Sequence, residues 1–148
     1  MRDIDLLKQE NNLKTFTFIL LSIVTLGVYD LLWIYNTNKS INRFTGMKVV
    51  SNFFVVVLLS FTAWSWLFAC YTDIPYFPFL NTIFSLISFI MTIVWSNAAK
   101  NALIYHCMGK YNLKLKTNNF YIVIFNVLYI NYIINSLDNS NRTLNNQR

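Results

Sequence analysis

The sequence predicts an all-α integral membrane domain: a helical hairpin of two full spans, flanked by two shorter kinked segments that either re-enter or cross. That arrangement allows up to four transmembrane segments within one domain, residues 1–148. Three observations predict it. Two apolar runs of about 20 residues, Phe53–Thr72 and Phe79–Ala99, flank the turn Asp73-Ile74-Pro75-Tyr76-Phe77-Pro78, and Asp73 is the only charged residue between Phe53 and Ala99. At ~1.5 Å per residue, either run crosses the ~30 Å hydrocarbon core of a bilayer. The chain is also 55% hydrophobic and only 12% charged, where a soluble domain carries about 25% charged residues. Finally, lipid-facing backbone must satisfy its own hydrogen bonds, which makes apolar spans of this length helical.

The first apolar segment, about residues 16–35, contains Gly27 and Asp30. Its uncharged part, Phe16–Tyr29, reaches only ~21 Å as a helix, a length typical of re-entrant or interfacial segments. Thr25 is placed to cap a helix that starts near Leu26–Val28, and Gly27 permits a bend there. That helix runs toward Arg43 with Ile34, Ile41 and Phe44 on one face. Asn36, Asn38, Lys39 and Asn42 supply polar surface, so it suits the headgroup plane. The second and third segments, about 53–72 and 79–99, are the clean spans. The third continues as helix past Ala99 through Ala102 and Leu103, and a left-handed cap is expected near Gly109. The fourth, about 120–137, is interrupted by Asn126, Asn131 and Asn135. Residues 138–148 read as a polar, irregular tail.

Basic residues decide between two and four crossings. Three precede segment one (Arg2, Lys8, Lys14), three lie in the first loop (Lys39, Arg43, Lys48) and none in the hairpin turn. Four follow segment three (Lys100, Lys110, Lys114, Lys116) and two lie in the tail (Arg142, Arg148). Four crossings would split them five against seven. Two crossings, with the outer segments dipping in and returning, put all twelve on one side, as the positive-inside rule favours. Both termini are then cytoplasmic. These residues flank apolar runs, so their expected partners are anionic lipid headgroups, with another membrane protein or a second copy also possible, and not nucleic acid. No Ala-x-Ala-like cleavage site follows the first apolar run, because the first alanine is Ala63, so that segment is expected to be retained.

Chemistry-bearing residues are sparse. Asp30 is the one acid inside an apolar segment, and intramembrane acids serve ion or proton paths. Tyr29, Tyr35 and Asn131 are its candidate partners. The plainer alternative is that Gly27 turns the chain back and leaves Asp30 hydrated at the interface. Asn126, Asn131 and Asn135 recur at spacings of five and four, suited to interhelical hydrogen bonds or to a polar cavity. Trp64, Trp66, Tyr71, Tyr76 and Phe77 form an aromatic belt at the hairpin turn. His106 and Cys107 are adjacent, so on a helix their side chains diverge and cannot pair for nucleophilic catalysis. Cys70 and Cys107 lack metal-site spacing. Catalytic, cofactor and metal sites are therefore not expected.

The stretch TLGVYDLLWIYNTNKSIN, Thr25 to Asn42, resembles the signature of a bacterial family of small membrane proteins catalogued as domain of unknown function 4234. Thr25, Leu26, Gly27, Tyr29, Trp33 and Tyr35 carry the resemblance, and the closing YINYIINSLDN, Tyr129 to Asn139, is similar to the family's last helix. Asp30 and Leu32 depart from it, standing where a second glycine and an aromatic residue are typical. The resemblance implies a multi-helix bacterial inner-membrane protein and supplies no reaction. The function expected from the sequence is non-enzymatic: an accessory, regulatory or immunity-type partner of other membrane components, with an oligomeric ion or proton channel or small transporter as the alternative.

Overall fold

The computed structural model describes residues 7, 9–11, 13–113, 115 and 117–145, the stretch 138–145 by its backbone alone. Five helices follow in order: α1 (Thr15–Val24), α2 (Val28–Thr45), α3 (Asn52–Cys70), α4 (Phe77–Tyr111) and α5 (Asn119–Asn145). No strand occurs among the described residues. By length and composition, α3, α4 and the Asn119–Leu137 part of α5 could each cross a membrane. Of the basic positions, Arg2, Lys8, Lys114, Lys116 and Arg148, and the side chain of Arg142, lie outside the described residues.

The α3–α4 hairpin forms where the sequence places it. Ser51 caps α3 by accepting from the Phe54 N–H at 3.1 Å, and Pro78 stands in the first turn of α4, where its missing N–H costs nothing. Two apolar helices in lipid gain little from hydrophobic burial against each other, so packing and polar contacts must join them. Here Ser65 Oγ donates to Asn81 Oδ1 at 2.7 Å, and Thr62 hydrogen-bonds Ser88. Phe61, Phe68, Phe77 and Phe84 interlock alongside, with ring centroids 5.0–5.3 Å apart.

α3 is ~28 Å long and α4 ~52 Å, so α4 overshoots the Ser51 end, here the near end, beyond about Ala99. The Cys70 end is the far end. The overshoot packs on α2. Trp95 Nε1 donates to Asn38 Oδ1 at 3.2 Å, and His106 lies on Phe44 with centroids 4.5 Å apart. Ile34 and Ile41 are buried as their spacing predicts. Asn38 departs from expectation: it is buried and not part of the polar surface, because Trp95 brings a ring N–H that needs an acceptor there.

α1 and α2 form a tight helical hairpin. Leu26 (φ 51°) and Gly27 (φ 86°) both take left-handed backbone, and the Gly27 N–H closes on Ser22 O at 2.8 Å. Thr25 serves both helices: its hydroxyl donates to Leu21 O at 2.7 Å and accepts from the Tyr29 N–H at 3.0 Å. The chain then doubles back, pairing Ser22 with Asp30, Phe18 with Trp33 (5.0 Å between rings) and Asn11 with Thr37 (2.7 Å). The first apolar segment therefore begins and ends toward the near end of the bundle.

α5 also folds back. Asn126 (φ 43°, ψ −112°) breaks it into two helices. The Asn118 N–H donates to the Tyr129 hydroxyl at 3.0 Å, and Tyr121 and Tyr129 lie 5.7 Å apart. A continuous helix would put ~16 Å and ~12 Å between those residues. Beyond the break, Asn131 and Asn135 donate to Leu13 O at 3.2 and 2.9 Å, back at the near end.

Two boundaries differ from those the sequence predicts. α4 passes through Gly109 and is capped by Asn112 (φ 52°), because the extra turn keeps Tyr111 against His106 and asparagine tolerates the left-handed cap. The backbone of α5 stays helical to Asn145, in place of an irregular tail. Extension from the packed turn 127–137 adds residues without a new nucleus.

Candidate functional site: a polar cavity at the hairpin tip

α4 carries a stripe of polar side chains at helical spacing: Asn81, Ser85, Ser88, Thr92, Ser96 and Lys100. At spacings of three and four they share one face. At the far end the stripe bonds to α3 through Ser65 and Thr62. At the near end it bonds to α5: Asn126 Nδ2 donates to Thr92 Oγ1 at 2.6 Å, Ser96 donates to Asn126 Oδ1, and Lys100 Nζ donates to Asn119 Oδ1 at 2.7 Å. Lys100 is buried in the helix and not a loop residue, its ammonium shared between Asn119 and Asn97.

Between these two sets of bonds lies a cavity of about 360 Å³. The α1–α2 tip closes one side with Leu26, Gly27, Asp30 and Ile34, and α3 and α4 supply Thr62, Ser65, Ser88 and Thr92. Asn126 and its neighbours on α5 complete the wall. Thr62 stands ten residues into α3, ~15 Å from its start, so the cavity lies about midway along the hairpin. Gly27 faces Trp66 here, and a Cβ on it would sit 4.0 Å from the indole.

Asp30 is half-buried, and Ser22 donates to its carboxylate. None of Tyr29, Tyr35 and Asn131 holds it. Tyr29 packs edge-on to Phe18 (5.7 Å), Tyr35 faces outward, and Asn131 is committed to Leu13. Gly27 does turn the chain back, as expected, but it turns within the bundle. Asp30 therefore lines the cavity. The asparagines divide in the same way: Asn126 serves the cavity, while Asn131 and Asn135 tie α5 to the start of α1. A carboxylate, hydroxyls and an amide can hold water and cations. No group of His, Cys, Asp and Glu among the described residues could hold a metal ion.

The family profile described as "Domain of unknown function (DUF4234)" matches residues 14–103. The chain belongs to this family. No curated protein and no solved structure matches it. In this DUF4234 chain the matched region holds the α1–α2 hairpin, α3, α4 as far as Leu103 and every cavity residue except those of α5. The similarity at Tyr129–Asn139 lies outside the match.

The signature residues of the DUF4234 chain have physical roles. Thr25 and Gly27 make the reversal. Trp33 is buried between Phe18 and Trp95, with centroids at 5.0 and 6.1 Å, and locks the α1–α2 hairpin to α4. The α4 stripe was not legible as a site in the sequence, because serine and threonine barely lower hydropathy and do not interrupt an apolar run. Their three-and-four spacing was the available signal. Trp64, Trp66, Tyr71 and Tyr76 are exposed toward the far end, as an aromatic belt requires.

Proposed function

We propose that this DUF4234 protein is a non-enzymatic, multi-pass protein of the bacterial inner membrane with both termini cytoplasmic. It acts as an accessory, regulatory or immunity-type partner of other membrane components. What supports this is the course of the outer segments. Among the described residues, the α1–α2 hairpin and the two limbs of α5 turn back toward the near end, and two crossing helices would not enclose an aqueous path. The orientation rests on charge: Lys14, Lys39, Arg43, Lys48, Lys100 and Lys110 stand on segments at the near end, and the far turn carries Asp73. The near end, set among anionic headgroups, is the cytoplasmic one.

Impermeant thiol labelling on intact cells tests it, using single cysteines at Lys48, Asp73 and Lys110 in a Cys70→Ser, Cys107→Ala background. Labelling at position 73 alone is the expected outcome. Labelling at 48 and 110 but not at 73 would overturn it, through four full crossings or a reversed orientation. In-cell photocrosslinking from exposed near-end positions such as Tyr105 and Met108 is then expected to capture a defined membrane protein, and capture of lipid alone would remove the partner role.

The cavity supports a second reading, an oligomeric cation or proton pathway built around Asp30. Flux into liposomes that Asp30→Asn abolishes at equal protein abundance would establish it. Absence of flux for the unmodified protein would dismiss it.

A further inference from the structure

The two ends of the molecule differ in cross-section. At the far end the chain is two helices, α3 and α4. At the near end those two are joined by α1, α2 and both limbs of α5, because each outer segment enters and returns there. Each helix with its side chains is ~10 Å across, so four additional limbs add roughly 300 Å² to one side. We infer that the protein is a leaflet-selective wedge, whose further function is to sense and stabilise membrane that bulges toward the cytoplasm. Its partner is the phospholipid bilayer itself. This rests on the membrane reading above.

Three observations support it. First, the tips of both re-entrant limbs are apolar and open: Leu26 is 85% and Val24 72% exposed, and Val123 and Ile124 are about half exposed. Such surfaces belong in hydrocarbon. Gly27 reaches the level of Trp66, fourteen residues into α3, so the tip stops ~21 Å in and does not emerge on the far side. Second, the near end carries the basic side chains that hold these limbs among anionic headgroups. Third, most of the outer surface of the far half is bulky and apolar. Its outer faces carry exposed Trp64, Phe79, Ile83, Leu86, Phe89 and Ile90, and no glycine occurs in α3 or the far half of α4. Close helix packing in lipid calls for small residues; exposed Ser60, Ala63 and Ala69 are interspersed with these bulky side chains, which suit acyl chains.

A wedge expands the leaflet that holds its wide end, so it partitions by curvature, as asymmetrically inserted helices do. The test uses the full chain at low density in phosphatidylethanolamine/phosphatidylglycerol vesicles of mixed diameter. Single cysteines at Lys48 or Asp73, in the Cys70→Ser, Cys107→Ala background, report orientation. Fluorescence per unit lipid is read vesicle by vesicle. Molecules with the near end outward are expected to be enriched about twofold or more in the smallest vesicles, and inverted molecules depleted there. Spin labels at Leu26→Cys and Ile124→Cys should be more accessible to oxygen than to a water-soluble nickel chelate.

A density independent of diameter, or dependent in the same sense for both orientations, would overturn the wedge. Water-exposed labels at 26 and 124 would do the same. If positions 48 and 73 label from the same side, the two-span topology fails and the wedge falls with it. If they label from opposite sides and the density is flat, the wedge alone fails, and a second copy or partner helix filling the far half becomes the explanation.

Discussion

The near and far halves of this protein are built from the same kind of sequence and held by different physics. In the near half, large side chains interlock. Phe18, Trp33, Trp95 and Leu103 are all buried, and Trp95 is fully so. In the far half, α3 and α4 meet along a polar seam flanked by Phe61, Phe68, Phe77 and Phe84 and turn most of their apolar surface outward. The difference shows how a chain this hydrophobic can be both a core and a lipid-facing surface. Apolar residues become a core only where several helices converge, and convergence requires the chain to turn back.

Breaking the near half should give the largest effect. Trp95→Ala removes the ring that touches Trp33 and donates to Asn38, and should cost about 3–5 kcal/mol in denaturant titration of the micelle-solubilised protein. Leu86→Ala, at an exposed far-half side chain, should fall within about 0.5 kcal/mol by the same measurement. Equal effects would mean that the halves are not distinct. The reversal itself is the next target. Gly27→Ala forces a Cβ into left-handed backbone and should cost about 1–2 kcal/mol, read as a lower unfolding midpoint.

The far seam is weaker. Ser65→Ala deletes the hydroxyl bonded to Asn81 and Ser85, and the loss should be about 0.6–1.7 kcal/mol. The smallest effect should have the opposite sign. Gly109 lies inside α4, and a methyl group added there would meet nothing within 4 Å, so Gly109→Ala should stabilise by about 0.5–1 kcal/mol. Native thiols sharpen the comparison at no structural cost. In micelles a maleimide should modify exposed Cys70 at the far end and spare buried Cys107 until the protein unfolds.

Much of this is legible in the sequence. Gly27 and Thr25 mark the reversal because only special residues allow left-handed backbone and shared capping at one point. Ile34 and Ile41 reveal a buried face by their spacing. The partners of Asp30 are not legible: Ser22 lies eight residues away on the other limb, and its hydroxyl looks like any other in an apolar helix. Lys100 reads as a loop cation because a buried ammonium is intelligible only once Asn119 and Asn97 are beside it.

The sequence by itself determined that the chain is an all-helical body with a long apolar hairpin, since run length, charge depletion and backbone hydrogen-bonding demand admit no other local structure. Which outer segments turn back, and what surrounds Asp30, only the tertiary structure decided. The reversal of α5 hangs on the backbone of one residue, Asn126, held by Thr92 and Ser96 some thirty residues away in the chain. Local propensity is blind to a bend whose stabilising partners lie on another helix.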